Sequence, residues 1–150
     1  MSLTRRDVLM AGCAGGAALA SAVFSPERAR AQDEAVQLVE RLTGRTPTVS
    51  DRLHLVMPAV FPTGYTVPMD LEIDSPMTED DHVKRIRVFA PHNPLIEVAS
   101  FNFVPRRSIA RVSTRIRLAE PQYVVAVAEM SDGTLLMTTT FVDVATNGCI

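Results

Sequence analysis

The side chain in this sequence best suited to covalent chemistry is the thiol of Cys149. The only other cysteine, Cys13, lies in an N-terminal stretch that we expect to be removed on export. The exported chain would then carry a single thiol. An unpaired cysteine in an oxidising compartment can oxidise or form a disulfide with another chain, so its presence indicates a function that needs it.

The residues around Cys149 favour a thiol that other proteins can reach. Residues 145–150 show no hydrophobic pattern that would pack them down, and Gly148 adds backbone freedom. The five steps from Val144 to Cys149 span up to roughly 17 Å when extended. We therefore predict a flexible carrier tail that presents a covalently bound group to other proteins.

Two other interpretations of Cys149 stay open at this point. It is either an incidental exposed thiol or one that forms a disulfide with another chain. The terminal carboxylate, one residue away, would oppose formation of the thiolate, so we expect little activation of this thiol by its own chain. Any chemistry would be supplied by partner proteins.

The N-terminus has the pattern of an export signal. Arg5 and Arg6 precede a stretch, from Val8 to Phe24, that no charged residue interrupts. This pattern predicts a twin-arginine signal peptide, and the small residues Ala29 and Ala31 suggest cleavage before residue 32. We expect a periplasmic protein without a stable membrane anchor, because the apolar stretch is shorter than the ~20 residues a membrane span needs. Twin-arginine export of folded proteins also suggests a partner that folds alongside this chain.

The charge balance argues against nucleic acid as a partner. After residue 31 the chain has 11 basic and 15 acidic residues, a net charge of −4, and the sequence has no Trp. Nucleic-acid affinity comes mainly from cations that neutralise phosphates and from aromatic side chains that stack on bases.

The pattern of the remaining chain predicts a mainly β fold. One amphipathic helix is expected from Asp33 to Thr43, ended by Gly44. About seven strands with turn clusters between them indicate an immunoglobulin-like antiparallel β-sandwich over residues 32–144. Pro68 suggests that its strand lies at a sheet edge, and Asp132-Gly133 predicts a hairpin with a type I′ turn. The predicted strands are residues 53–57, 67–73, 83–90, 97–104, 110–118, 123–130 and 135–144.

No set of residues in the sequence predicts catalysis, a metal site or a bound cofactor. The histidines (His54, His82, His92) lack ligand spacing, the acidic run 79–81 lacks the glycine of a calcium loop, and the methionines (Met57, Met69, Met77, Met130, Met137) are expected in the core. A basic segment remains, which either forms a polar outer face or steers an anionic cargo or acidic partner. It consists of Arg106, Arg107, Arg111, Arg115 and Arg117.

Several stretches together resemble the SoxY family, the sulfur carriers of thiosulfate oxidation. They are Asp74-Ser75-Pro76-Met77-Thr78, residues 83–89 (VKRIRVF), Asn93-Pro94, residues 113–118 (STRIRL) and residues 124–133 (VVAVAEMSDG). The resemblance runs from the twin-arginine start to the tail and is most specific near residues 113–133.

The resemblance implies a sandwich that forms a heterodimer with a SoxZ subunit and is not itself an enzyme. Thiosulfate would be joined oxidatively to Cys149 by the haem enzyme SoxXA, SoxB would release sulfate, and a sulfur dehydrogenase would oxidise the remaining sulfur. The family tail is Gly-Gly-Cys-Gly-Gly, whereas Asn147 and Ile150 flank Gly148-Cys149 here. The alternative is an immunoglobulin-like interaction module, or a divergent relative with another partner or cargo.

Overall fold

The computed structural model describes residues 26–145, which form one helix and nine strands. The elements are α1 Pro26–Thr43, β1 Thr48–Val49, β2 Leu53–Val56, β3 Val60–Phe61, β4 Val67–Ile73, β5 Val83–Phe89, β6 Glu97–Asn102, β7 Arg111–Ile116, β8 Gln122–Met130 and β9 Leu135–Val144.

The strands form two sheets that face each other, which confirms the predicted immunoglobulin-like sandwich. The large sheet has the order β1-β9-β8-β5-β6, and β3 adds to the β9 edge; the small sheet has the order β2-β4-β7. All pairs among the longer strands are antiparallel, while the two-residue strands β1 and β3 run parallel to β9. The sandwich core lies between the sheets.

Strict alternation along β4 shows how the sequence builds this core. Val67, Met69, Leu71 and Ile73 are buried against the large sheet, whereas the residues between them face outwards. The period of two places successive side chains on opposite faces of a strand. Each fully buried aliphatic side chain contributes on the order of 1.5–3 kcal/mol relative to exposure.

Strand β8 is buried on both faces, because α1 covers the outer face of the large sheet. Val125 and Val127 pack beneath Leu38 and Val39 of the helix in a second apolar cluster. On the opposite face of the same strand, Ala126 and its alternate neighbours join the sandwich core. This double burial explains why residues 123–128 of β8 are all apolar instead of alternating.

The helix begins earlier than the sequence pattern predicted, at Pro26 instead of Asp33. Its end is as predicted: Gly44 has φ +70°, and its N–H donates to the carbonyl of Glu40 at 2.8 Å. Cleavage before residue 32 stays a prediction. It would remove the first six residues of α1, and the buried helix residues, from Ala35 onwards, all follow that point.

The structure corrects the predicted edge position of β4, which is the central strand of the small sheet. Pairing between β2 and β4 ends at Val56 and Asp70, so Pro68 lies beyond the end of β2. A missing N–H therefore costs no hydrogen bond to β2 there. The sequence pattern also missed the two short strands β1 and β3. β1 lies in a segment that was predicted to be a linker.

The hairpin between β8 and β9 is confirmed, but its turn is not type I′. A type I′ turn requires positive φ at two central residues, whereas only Gly133 has it here, at +88°. The N–H of Gly133 donates to the carbonyl of Met130 at 3.1 Å. The N–H of Met130 donates to the carbonyl of Thr134 at 2.9 Å. These bonds define a three-residue loop with glycine in the left-handed position.

Candidate functional site: the anchor of the carrier tail

The site residues predicted from the sequence lie outside the described residues. Cys149 and its neighbours Asn147, Gly148 and Ile150 follow the last described residue, and the export residues Arg5 and Arg6 precede the first. The structure instead describes the end of the sandwich to which the tail is attached. We call this the tail-bearing end; it comprises the carboxyl end of β9, residues 57–66, residues 90–96 and residues 117–121.

The chain is held in place up to Ala145 by β3. Val60 and Phe61 pair with Asp143 and Val144 in parallel register. The N–H of Asp143 donates to the carbonyl of Ala59 at 2.8 Å, and the N–H of Ala145 donates to the carbonyl of Phe61 at 3.2 Å. Four steps separate Ala145 from Cys149, which gives a reach of up to about 14 Å from this anchor.

A buried polar network joins the loops of the tail-bearing end. The side-chain carbonyl of Asn93 accepts hydrogen bonds from the Ala119 N–H at 2.8 Å and from the amide of Gln122 at 3.0 Å. The Asn93 amide donates to the carbonyl of Arg117 at 2.8 Å, and the carbonyl oxygen of Gln122 accepts from the His92 N–H at 2.9 Å. Because both amides are almost fully buried and paired, the network fixes these loops relative to β8.

An aromatic pair lies on the outer face of the large sheet at the same end. Tyr123 and Phe141 face each other across β8 and β9, with ring centroids 5.1 Å apart and ring planes tilted by 59°. Phe141 is 45% exposed. The pair therefore adds exposed apolar surface to the tail-bearing end.

The arginines of the basic segment differ in their partners. Arg111 donates to Glu72 at 2.6 Å, an interaction that raises the pKa of its guanidinium, and Arg106 pairs with Glu79 at 3.2 Å. Arg115 and Arg117 are exposed and form no ion pair within residues 26–145. The outer face of the small sheet is thus mixed in charge, and steering of an anion stays a prediction.

The histidines lie beside different partners. His54 Nε2 is 3.2 Å from an Asp74 oxygen, and His92 Nδ1 is 2.8 Å from Glu120 Oε1. Among the described residues, no group of three His, Cys, Asp or Glu side chains is arranged to hold a metal ion. No helix in this part of the chain is long and apolar enough to cross a membrane.

Comparison with known proteins agrees with this architecture. The family described as sulfur oxidation protein SoxY matches residues 39–149. The sulfur carrier protein SoxY from Chlorobium limicola f thiosulfatophilum is 27% identical, with a TM-score of 0.58; the match covers 77% of this chain and 97% of that one. No curated protein sequence matches.

Superoxide reductases share the fold at lower identity. A candidate superoxide reductase from Thermotoga maritima is 16% identical over 65% of this chain and 93% of its own, with a TM-score of 0.57. The superoxide reductase (neelaredoxin) from Ignicoccus hospitalis is 11% identical over 61% of this chain and 79% of its own, with a TM-score of 0.55. At these identities the likeness concerns the fold alone.

The fold and the tail anchor, together with the Chlorobium match, define a β-sandwich protein of the sulfur-carrier class. The chain belongs to the SoxY family of sulfur oxidation proteins. Family membership and the structural match support a role as a sulfur carrier among the proteins of the Sox system.

Proposed function

We propose that this protein is a periplasmic carrier that binds thiosulfate-derived sulfur covalently on Cys149 and presents it to partner enzymes. The main support is the clamp between β3 and β9, which holds the chain up to Ala145 and leaves Cys149 within about 14 Å of a fixed point. Fixed attachment and short reach together confine a bound group to one end of the sandwich.

The proposed cycle requires chemistry from the partners at each step. A haem enzyme of the SoxXA type removes two electrons as the Cys149 thiolate and the outer sulfur of thiosulfate form a disulfide bond. A SoxB-type hydrolase then uses water to cleave the bond to the sulfonate group, which leaves as sulfate and leaves a persulfide on Cys149. A sulfur dehydrogenase then transfers electrons from the outer persulfide sulfur to an electron acceptor while water supplies oxygen, which gives a sulfonate again. The hydrolase releases this group as a second sulfate and restores the Cys149 thiol. The carrier supplies the thiol and its position and no catalytic group.

Intact mass spectrometry tests the carrier function. The full-length chain, residues 1–150, purified and incubated with thiosulfate, a SoxXA-type enzyme and an electron acceptor, should gain one thiosulfate-derived adduct. The Cys149→Ser variant should gain none, while the matched control Cys13→Ser should behave like the parent chain. Absence of an adduct on the parent chain would refute the proposal.

Because the tail differs from the glycine-rich family tail, we expect a measurable effect on its partners. Ile150 is β-branched and therefore bulkier and stiffer than glycine beside the thiol. A hydrolase adapted to the glycine tail should process the Ile150→Gly variant faster than the parent. Equal rates of sulfate release from both would show that the partner tolerates the larger residue.

We further propose that a SoxZ-like subunit binds along the open edge formed by β6 and β7. These are terminal strands of the two sheets, and β2, the other end of the small sheet, lies against β9. Leu95 and Ile109 are 79% and 81% exposed, and Val104 is also exposed. Exposed apolar side chains near two open strand edges are typical of a protein interface.

Co-purification tests this interface. Ile109→Asp should weaken binding of a SoxZ-like chain, whereas Val56→Asp, at a 63% exposed apolar position on β2, should not. Equal loss with both variants would contradict a specific edge interface. The same exposed edge favours the second candidate function, an interaction module in which the cysteine is dispensable; full sulfur oxidation with Cys149→Ser would support that function instead.

Export is tested by replacing the paired arginines. Arg5→Lys together with Arg6→Lys should leave the chain in the cytoplasm if the twin-arginine route is used. Unchanged recovery of the double variant in the periplasmic fraction would contradict that route.

A further inference from the structure

The balance of charge on the outer face of the small sheet changes along β7. At the start of this strand, Arg111 lies across from Glu72 of β4 and forms an ion pair with it at 2.6 Å. Towards the tail-bearing end, β4 has one further acidic residue, Asp70, and Arg115 then lies across from Pro68. The carboxylates of β4 therefore end before β7 reaches the tail-bearing end, whereas the arginines of β7 continue.

Arg115 and Arg117 form an exposed positive area at that end, which we call the arginine patch. They alternate with the buried residues Ile116 and Leu118, so both arginine side chains point away from the core. Neither forms an ion pair within residues 26–145. After residue 31 the chain has 11 basic and 15 acidic residues, a net charge of −4. The arginine patch is therefore a local positive area on a negatively charged protein.

The arginine patch lies beside the tail anchor. The N–H of Leu118 donates to the carbonyl of Gly64 at 2.8 Å. Gly64 is three residues from Phe61, the residue of β3 that pairs with Val144, and three residues span at most about 11 Å. Tyr65, the residue after Gly64, is 44% exposed. Arginine and tyrosine are enriched in protein–protein interfaces, and here they lie close to the point where the tail leaves the sandwich.

The surroundings of the arginine patch favour a protein surface over a small anion. The cavity of about 270 Å³ on this face is lined by residues that include Asp70, Arg111 and Ser113, but by neither arginine of the patch. Water therefore surrounds both guanidinium groups, and dissolved salt screens their charge over about 8 Å at physiological ionic strength. A protein surface, in contrast, brings several carboxylates at once and excludes water from the contact.

We propose that the arginine patch and Tyr65 form the surface by which the carrier docks on the enzymes that act on Cys149, against Asp and Glu side chains beside their active sites. The purpose of this docking rests on the proposed carrier function. The patch attracts an acidic surface to the tail-bearing end, while the net negative charge of the chain repels that surface elsewhere. The enzyme is thereby oriented towards the tail during the encounter, which raises the association rate and makes it sensitive to salt.

Binding to an immobilised SoxXA-type enzyme tests the docking without covalent chemistry. In the full-length chain with Cys149→Ser, the patch variant, Arg115→Glu together with Arg117→Glu, should bind at least about 10-fold more weakly at low salt, and this difference should shrink above ~0.5 M salt. The matched control, Arg41→Glu together with Lys84→Glu, makes the same change in net charge at two exposed cations without an ion pair within residues 26–145. It should lose about 2-fold or less. Equal binding of the parent and the patch variant, or an equal loss in the control, would overturn the proposal.

Two further measurements control for folding and separate the docking from the carrier function. The patch variant should co-purify with a SoxZ-like chain as the parent does; loss of that chain would place the arginines at the subunit interface and overturn the proposal. With Cys149 intact, the patch variant should show a raised KM for adduct formation and an unchanged kcat, because the docking affects association and not chemistry. An adduct formed with the KM of the parent would overturn the docking alone, whereas patch-dependent binding without any adduct would refute the carrier function alone.

Discussion

The two ends of the sandwich are stabilised by different kinds of interaction. At the tail-bearing end, neutral side-chain amides of Asn93 and Gln122 are buried and bind the backbone of neighbouring loops. At the opposite end, formed by residues 74–82, 103–110 and 131–134, hydroxyl and carboxylate groups bind the backbone at the surface. Ser131 Oγ donates to the carbonyl of Asp80 at 2.9 Å, and Asp132 accepts from the Thr134 N–H at 2.8 Å.

This difference fits the proposed carrier function. A tail that delivers a thiol needs a fixed point of attachment, and a buried, fully paired network is insensitive to salt and to pH changes near neutrality. The opposite end shows a more unusual backbone, with positive φ at Met77 (52°) and Arg106 (62°) as well as at Gly133. Its loops are also joined to one another, for example by the Arg106 N–H, which donates to the carbonyl of Met77 at 2.8 Å.

Removing an amide of the buried network should have the largest effect. Gln122→Ala takes away donors and an acceptor and leaves the Asn93 carbonyl and the His92 N–H with fewer partners. The free energy of unfolding should fall by about 2–3 kcal/mol, measured by urea denaturation. Gln37→Ala, the same change at an exposed position of α1, is the matched control and should have little effect. Equal losses for both would show that the network is not a main stabilising feature.

Acid should destabilise the fold through a charge cluster beside the opposite end, where Arg45 also binds the carbonyl of Gly133. Burial opposes ionisation of Glu129, but hydrogen bonds from Arg45 and Arg85 outweigh it and lower the pKa of this carboxyl. A carboxyl whose pKa is lowered on folding stabilises the protein above its unfolded pKa, and that stability is lost as the pH falls through the folded value.

Urea midpoints between pH 7 and pH 3 test this sign. The urea concentration at the midpoint of unfolding of the parent should decrease once the pH is lowered below about 4.5, the ordinary pKa of this carboxyl. Glu129→Gln should be less stable at pH 7 and should lose less on acidification. If the urea midpoints of the parent and the variant changed in parallel with pH, the ionised Glu129 carboxylate would not be the group that stabilises the fold.

A smaller effect is expected at the hairpin turn of the opposite end. Gly133→Ala places a side chain in the left-handed region without a steric clash, since the nearest atom to the added carbon is an Arg45 nitrogen at 4.0 Å. The cost should be about 1–2 kcal/mol, the preference of an L-residue against that conformation. Gly133→Asn should cost less, because Asn tolerates positive φ, and thermal unfolding of the two variants measures the difference.

The smallest effect should come from the exposed ion pair of the small sheet. Arg111→Ala removes the 2.6 Å bond to Glu72 on a fully solvated face. Exposed pairs are screened by water and salt. We expect no resolvable change in Tm at ~0.15 M salt. A clear drop would show that this pair, unlike most surface pairs, helps to hold β7 against β4.

The sequence pattern predicted best those strands whose own residues decide their structure. β4 and β9 have the predicted bounds, because alternation in β4 and a well-marked hairpin before β9 are local features. β1 and β3 escaped prediction because each has only two residues and exists through pairing with β9. The turn type was wrong because Asp-Gly is compatible with more than one loop geometry.

The candidate site likewise has one part that the sequence pattern indicated and another part that it missed. Cys149 and its tail are noticed in the sequence through residue type alone, and their role stays a prediction because they follow the last described residue. The buried partners of Asn93 and Gln122, separated by 29 positions, gave no signal beyond the Asn93-Pro94 motif. The early start of α1 was also missed, because residues 26–31 are mostly exposed and lack an apolar stripe.

The sequence by itself determined the class of fold, the seven longer strands, family membership and the thiol on which the proposed function depends. These follow from local periodicity, turn residues and residue type. Only the tertiary structure decided that β3 clamps the end of β9 and that a buried network lies at the same end. Such features depend on contacts between residues far apart in the chain, and no local pattern records them.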